Sequence, residues 1–327
     1  YTEHPVRLSL LIREPIALGR ALERARAIIA RSEERAATHG TGPVHLGIGT
    51  ASWRADHATI TVPALLRPVR LVRRDDDVLI AMGHGALLAP ELAAALRERG
   101  KQVFVLSNAA SVSKPNMVTR FAGLGFDFSA DEIVTSRDAV LDALAAYPRD
   151  TLWGLIGLEH SQEDLDARGV RYLHQDDPHF HDAPDGYLFL ATANWDDDRQ
   201  QRFLAALEAR PRPVILGNPD LIAPMPEHTS IEPGSYILTL PDEAFAHVHV
   251  CGKPYPAIYE HAARRLASFD PARTLMCGDT LHTDILGGNA FGVRTALITA
   301  HGFYRDLNYH DYIGDSGIIP DHILPRL

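Results

Sequence analysis

The stretch Cys-Gly-Asp-Thr-Leu-His-Thr-Asp-Ile-Leu-Gly-Gly-Asn, residues 277–289, is the most informative part of this chain. An apolar run at residues 274–277 predicts a buried strand that ends in Gly278-Asp279. A second carboxylate, Asp284, follows before small residues that predict the start of a helix. Open α/β folds bind ligands at the carboxyl ends of their strands. Two carboxylates at such an edge suit Mg²⁺, which prefers oxygen ligands.

The composition excludes several classes of protein. A length of 327 residues is typical of two domains of about 150 residues each. The net charge of -10 argues against nucleic acid as the main partner, because nucleic-acid-binding proteins usually carry a basic face. No apolar run reaches the roughly 18 residues that span a membrane, so no membrane partner is predicted. Two cysteines, Cys251 and Cys277, are too few for a disulfide framework and favour a cytoplasmic location.

Three parts of the chain differ in pattern. Residues 1–74 combine a predicted helix at 17–37 with short strand-like runs, so we expect an extra N-terminal α+β segment. From residue 75 onward strands and helices alternate, which predicts an α/β fold with helices on the faces of a parallel sheet. The middle of this region is less regular and is predicted to be an inserted domain. The predicted division is residues 75–129 and 236–327 for the core and 130–235 for the inserted domain.

Polar residues follow three of the predicted strands. Ser107 and Asn108 end one strand, Lys253 follows another and opens a helix, and Asp279 and Asp284 follow the third. We expect these groups to meet at one edge and to form a phosphate and Mg²⁺ site. The Ser107 hydroxyl and the Asn108 backbone would bind phosphate oxygens, and Lys253 would contact both phosphate and carboxylate. Asp279 and Asp284 would hold the metal ion.

These segments resemble the motifs of the haloacid dehalogenase (HAD) superfamily, in particular class IIA, which has a large α/β cap. Ser107 matches the second motif, Lys253 in Gly-Lys-Pro-Tyr-Pro-Ala-Ile-Tyr matches the third, and Asp279 with Asp284 matches the fourth. The resemblance covers about residues 75–327. It implies a Rossmann-like core, a cap domain, Mg²⁺ and an aspartyl-phosphate intermediate. Because the class includes nucleotide and sugar-phosphate phosphatases, it also implies a small phosphorylated substrate.

The segment Gly217-Asn218-Pro219-Asp220 resembles the loop by which the cap of this class returns to the core. Asn218 and Asp220 are therefore the predicted contacts from the cap to the substrate. The class resemblance and the extra N-terminal layer are together compatible with a homodimer.

The first motif of the superfamily departs most from the expected pattern. It is an apolar strand ending in Asp-x-Asp-Gly, where the first Asp attacks phosphorus and the second serves as acid and base. Residues 73–85 instead read Arg-Arg-Asp-Asp-Asp-Val-Leu-Ile-Ala-Met-Gly-His-Gly. In one register Asp75 is the nucleophile and Asp77 the acid/base, although the residues before them make a poor buried strand.

In the other register, residues 78–81 form the central strand, and Met82 and His84 occupy the two Asp positions. This register has the better strand pattern but removes the nucleophile, because methionine cannot form a phosphoryl ester. It leads to an alternative function, a catalytically inactive HAD-like protein that binds a phosphorylated ligand or a protein partner. A third interpretation is that about the first seventy residues derive from another protein or a gene-model error and replace the true first motif.

A loop rich in histidine and aspartate is a second candidate for metal binding. A solvated polar loop is the simpler interpretation of this composition. The residues concerned are His174, Asp176, Asp177, His179, His181 and Asp182.

Overall fold

The structure is a computed structural model that describes residues 90–224, 229–300, 302–304 and 307–325, together with the backbone of four strands between residues 45 and 81. The first three of these strands form a small antiparallel sheet, in accord with the strand-like runs of the N-terminal segment. The helix predicted at residues 17–37 lies outside the described residues. The strands are β1 (His45–Leu46), β2 (Gly49–Trp53), β3 (Ala58–Thr61) and β4 (Asp77–Ala81).

The main sheet is parallel, and within the described residues it contains six strands in the order β16-β15-β14-β4-β5-β6. Its strands β5 and β14 are buried along their whole length, as expected for a parallel sheet covered by helices on both faces. This arrangement confirms the predicted α/β core. The strands that join β4 are β5 (Val103–Ser107), β6 (Ile133–Thr135), β14 (Thr274–Gly278), β15 (Arg294–Ile298) and β16 (His322–Leu324).

A second parallel sheet has the order β13-β10-β9-β7-β8 in the part of the chain that the structure describes. An antiparallel hairpin, β11 and β12, follows the end of β10. The strands are β7 (Leu152–Ile156), β8 (Arg171–His174), β9 (Gly186–Phe189), β10 (Val214–Leu216), β11 (Ile222–Pro224), β12 (Thr229–Ile231) and β13 (Val248–Val250).

Sheet membership differs from the predicted division at both boundaries. β6 lies inside the segment predicted as the inserted domain, yet it pairs with β5 of the main sheet. β13 lies inside the segment predicted as core, yet it pairs with β10 of the second sheet. Hydrophobic pattern identifies a strand but does not say which sheet edge completes its backbone hydrogen bonds. The predicted boundaries at residues 130 and 236 are therefore corrected to positions just after β6 and β13.

The helices cover both sheets, and one of them lies between the two. Val140, on the helix Ser136–Leu144, belongs to an apolar cluster that also contains Leu106 of the main sheet and Leu155 of the second. Across the described residues, no helix is both long enough and apolar enough to cross a membrane. The helices are α1 (Pro90–Glu98), α2 (Lys114–Gly123), α3 (Ser136–Leu144), α4 (Glu163–Ala167), α5 (Asp197–Ala209), α6 (Pro233–Ile237), α7 (Asp242–Phe245), α8 (Pro256–Arg265), α9 (Leu286–Phe291) and α10 (Tyr309–Ser316).

Arg137, in the first turn of α3, is a buried cation that connects the loops after β5 and β7. Its guanidinium donates to the carbonyl of Ala110 and to both carboxylate oxygens of Asp164. It also donates to the carbonyl of Ser161 and the side chain of Gln162. Because the side chain is only 1% exposed, these bonds are needed to offset its loss of hydration.

We expect Arg137→Met to lower the free energy of unfolding by about 3–5 kcal/mol, because it leaves the partly buried Asp164 carboxylate and the buried oxygens of Ala110 and Gln162 without their donor. Urea denaturation followed by far-UV circular dichroism measures this loss. Arg264→Met is the control, since Arg264 pairs with Asp142 on the surface and such pairs contribute about 1 kcal/mol or less. Equal losses in the two variants would contradict the prediction.

Candidate active site

The carboxyl ends of β5, β13 and β14 bring the predicted phosphate and metal residues together. The Nζ atom of Lys253 donates to the carbonyl of Leu106 at 3.0 Å and to Oδ1 of Asp284 at 2.8 Å. Both side chains of this ion pair are buried. The ammonium is therefore fixed beside Ser107, the last residue of β5, where the sequence predicted a phosphate site.

Asn108 joins the ends of three strands through its side chain. Its Oδ1 accepts the backbone N–H of Lys253 at 2.7 Å. Its amide nitrogen donates to the carbonyl of Lys253 and to Oδ1 of Asp220, both at 3.0 Å. These three bonds engage the side chain of Asn108, so the prediction that its backbone binds phosphate remains compatible with the structure. A Cβ atom on Gly252 would lie 2.8 Å from Oδ1 of Asn108, so this junction requires glycine.

Ser107 is buried at the mouth of the same junction. Its hydroxyl oxygen accepts the backbone N–H of Ala109 at 3.3 Å. Since a hydroxyl both accepts and donates, its proton can still be donated to a phosphate oxygen.

Asp284 lies in a helical turn, Leu281–Ile285, directly before α9. While Oδ1 accepts from Lys253, Oδ2 accepts the backbone N–H of Thr280 at 3.1 Å. A Cβ atom on Gly278 would lie 2.2 Å from the carboxyl carbon of Asp284, so glycine at the end of β14 makes room for this carboxylate. The Gly278-Asp279 pair therefore contributes to both carboxylates: Asp279 is one of them, and Gly278 leaves space for the other, Asp284.

Asp279 follows β14 and is half-buried. Its Oδ2 accepts the backbone N–H of Phe303 at 2.9 Å, and its Oδ1 has a long contact of 3.5 Å with the Thr280 hydroxyl. Burial, followed by the negative charge of Asp284, raises the pKa of Asp279 to about 6. The ionised form of Asp279 is therefore disfavoured in the metal-free protein. A divalent cation prefers oxygen ligands and would offset the negative charge of this carboxylate.

The loop after β10 brings Asn218 and Asp220 toward this junction. Oδ1 of Asn218 accepts the backbone N–H of Asp220 at 3.0 Å, and its amide donates to Glu232 at 3.0 Å. Burial raises the pKa of Glu232, as does the nearby charge of Asp220. Sequence reasoning missed Glu232, because the β11–β12 hairpin returns it to Asn218 and no local spacing signals that contact.

The register of β4 resolves part of the first-motif question. β4 lies between β14 and β5, with Ile80 paired to Cys277 and Ala81 to Leu106. Residues 78–81 are thus part of the central strand, as in the second of the two registers predicted. Asp75, Met82 and His84 lie outside the described residues.

Asp77 is the first residue of β4 and pairs with Thr274, at the amino end of β14. Its backbone is four residues from Ala81, about 13 Å along an extended strand. The prediction that Asp77 serves as acid/base is therefore corrected, because the strand carries it to the edge opposite Asp279.

The histidine-rich loop forms one cluster among the described residues that has the composition of a metal site. Candidate ligand atoms of Glu159, His174 and Asp176 lie within 4.8 Å of one another. Asp176 is however ion-paired with Arg199 at 2.6 Å and contacts His174 at 3.2 Å, so its carboxylate is already engaged by protein groups. His179 and His181 do not belong to it.

Comparison with known proteins decides the family. A model described as haloacid dehalogenase-like hydrolase matches residues 76–171, and an HAD-hydrolase-like model matches residues 250–327, together more than half of the chain. The chain belongs to the haloacid dehalogenase superfamily. The two matched segments contain every motif residue of the main-sheet edge described above.

Relatives within this HAD superfamily include chronophin from Mus musculus, which is 29% identical over 73% of this chain and 84% of its own length. A "possible sugar phosphatase" from Cytophaga hutchinsonii has a similar structure, with a TM-score of 0.67 and 24% identity over 77% of this chain and 94% of that chain. Glycerol phosphate phosphatase from Mycobacterium tuberculosis, in complex with calcium, has a TM-score of 0.61 and 22% identity over 77% of this chain and 73% of that chain. At these identities the structural likeness shows the HAD fold alone.

The Lys253–Asp284 pair leads to a stability prediction for this HAD protein. Lys253→Met should lower the free energy of unfolding by about 3–5 kcal/mol, because the Asp284 charge would remain buried without a partner. Chemical denaturation at pH 7 measures the loss. Arg265→Met is the matched control, since Arg265 pairs with Asp131 at the surface and should contribute about 1 kcal/mol or less. A loss for Lys253→Met no larger than the control would contradict the prediction.

The raised pKa of Asp279 leads to a pH prediction for the metal-free protein. Between the ordinary value of 3.8 and about 6, the folded state binds more protons at Asp279 than the unfolded state does. The contribution of Asp279 to stability should therefore fall through this window as pH rises, and Asp279→Asn should remove that contribution. Urea denaturation in EDTA at pH 4 and pH 7.5 compares them. We expect the variant to gain stability over the native protein at the higher pH, and an equal difference at both pH values would contradict this.

Proposed function

We propose that the protein is a divalent-metal-dependent phosphohydrolase that acts on a small phosphorylated metabolite of the sugar phosphate or nucleoside monophosphate class. The observation that carries this proposal is the fixed ammonium of Lys253 between the end of β5 and Asp284. A buried cation beside a hydroxyl and two carboxylates is an arrangement suited to a phosphate ester and its metal ion. Relatives named as phosphatases support the same activity.

Each residue of the site has a distinct role in this proposal. The Ser107 hydroxyl and the Asn108 backbone N–H bind oxygens of the phosphoryl group, and Lys253 neutralises part of its charge. Asp279 and Asp284 would hold Mg²⁺, Asp284 through lone pairs that its bonds to Lys253 and Thr280 leave available. When bound, the cation would stabilise the charge that develops on the phosphoryl group in the transition state.

The second sheet supplies the contacts beyond the phosphate. Asn108 bonds directly to Asp220, so the loop after β10 lies against the phosphate junction. Asn218 and Asp220 are therefore proposed to contact the leaving-group side of the substrate and to exclude water from it. The free, buried state of Cys251 and Cys277 supports a cytoplasmic location.

An aspartyl-phosphate intermediate needs a carboxylate that attacks phosphorus while the bond to the leaving oxygen breaks. Asp75 was predicted as the nucleophile in the same register as Asp77, and the register observed for β4 does not favour that pair; Asp75 itself lies outside the described residues, so its role stays a prediction. The identity of the nucleophile is therefore tested by replacing Asp75.

A second function is favoured by one observation. The residue that follows β4 in the sequence is Met82, and a thioether cannot form a phosphoryl ester. The alternative is a protein that uses the same Ser107, Lys253 and Asp284 arrangement to bind a phosphorylated ligand without turnover.

Hydrolysis of p-nitrophenyl phosphate separates the two functions. For a phosphohydrolase we expect turnover with Mg²⁺, none in EDTA, and a loss of about 100-fold or more in Asp279→Asn, because that variant removes a charged metal ligand. Asp75→Asn should abolish turnover if Asp75 attacks phosphorus, whereas Asp77→Asn, its matched control, should retain it.

The complementary measurement is calorimetric titration with inorganic phosphate or orthovanadate. Binding that depends on Mg²⁺ and on Lys253, without turnover of any tested ester, would replace the phosphohydrolase proposal with the binding function. If the protein neither binds phosphate or vanadate nor hydrolyses any tested ester, both proposed functions are excluded.

A further inference from the structure

A short helical turn after β15 contacts the predicted metal ligand Asp279. The turn, Gly302–Tyr304, lies at the same edge of the main sheet, because β14 and β15 are parallel neighbours. Its Phe303 donates a backbone N–H to Oδ2 of Asp279 at 2.9 Å. This bond comes from a segment outside the four motifs on which the phosphate and metal site was predicted.

Gly302 allows this close approach. Its φ is +74°, a left-handed conformation that glycine adopts readily. A Cβ atom at this position would lie 1.8 Å from Oδ2 of Asp279, far closer than two non-bonded atoms can approach. Any other residue at position 302 must therefore displace either the turn or the carboxylate.

The turn is anchored, so it cannot simply move away. Tyr304 is only 1% exposed and packs in an apolar cluster with Leu281, Ile285 and Leu286. Leu281 and Ile285 bound the helical turn that carries Asp284. The segment that contacts Asp279 is thus packed against the segment that positions the second carboxylate.

We propose that Gly302 and Phe303 are positioning residues that orient Asp279 for its cation. The N–H of Phe303 holds Oδ2, and the absence of a side chain at Gly302 leaves space for it, so that Oδ1 is presented to the metal ion. Oδ1 has a long contact of 3.5 Å with the hydroxyl of Thr280. This inference rests on the metal-dependent site proposed above. It states that the affinity for the cation also depends on the turn Gly302–Tyr304, which supplies no metal ligand itself.

The first test compares two glycine variants in binding of Mn²⁺, measured by calorimetry and by the loss of the free-ion paramagnetic resonance signal. Gly302→Ala should weaken binding by about 10- to 100-fold, the usual effect of removing a partner that orients a metal ligand. Gly292→Ala is the matched control. Its φ is +82°, so it carries the same left-handed strain, but a Cβ there meets nothing within 4 Å. The Gly292→Ala variant should bind Mn²⁺ with an affinity within about twofold of that of the native protein.

A second pair of variants tests the N–H directly and does not depend on Gly302→Ala folding. Phe303→Pro removes the donor, while Phe303→Ala removes the ring and keeps the donor. Proline fixes φ near the value typical of a short helical turn such as Gly302–Tyr304. We expect Mn²⁺ affinity to fall about 10-fold or more in Phe303→Pro relative to Phe303→Ala.

The outcomes distinguish this inference from the function on which it rests. If Asp279→Asn abolishes Mn²⁺ binding while each test variant binds as its control does, the positioning role is overturned and the metal site stands. If the native protein binds no more Mn²⁺ than Asp279→Asn does, the metal site itself fails, and the positioning role fails with it.

Discussion

The buried ion pair between Lys253 and Asp284 is the interaction on which the site depends. Each charge would be strongly destabilising alone in an apolar interior, and each is stabilised here by its partner and by further hydrogen bonds. Lys253 also donates to the carbonyl of Leu106, and Asp284 accepts from the backbone of Thr280. The pair therefore fixes three chain segments, the ends of β5, β13 and β14, at one point.

Much of this edge could be predicted from the sequence, because its signals are local. An apolar run followed by Gly278 and Asp279 predicts a strand end, and parallel strands place their carboxyl ends together. The same reasoning correctly predicted that Lys253 and Asp284 lie near Ser107. Of the two registers that the sequence left open, the one with residues 78–81 as the central strand is the one observed.

The remaining features could not be predicted because they depend on contacts between distant segments. β6 and β13 lie outside the predicted bounds of the domains whose sheets they join, since hydrogen-bond partners across a sheet edge leave no trace in periodicity. Neither the burial of Arg137 nor the contact of Glu232 with Asn218 has a signal within its own stretch of sequence. The triple Asp75–Asp77 was open to two registers because its charged residues carry no strand pattern.

The position of α3 between the two sheets has a consequence for how the molecule holds together. The apolar cluster around this helix includes residues of both sheets, for example Met276 of β14 and Ile215 of β10. If either sheet lost its structure, apolar residues of the other would be exposed to water, so we expect the two to unfold together. Separating the sheets as rigid bodies would open this shared core to water, at a free-energy cost that grows with the apolar area exposed.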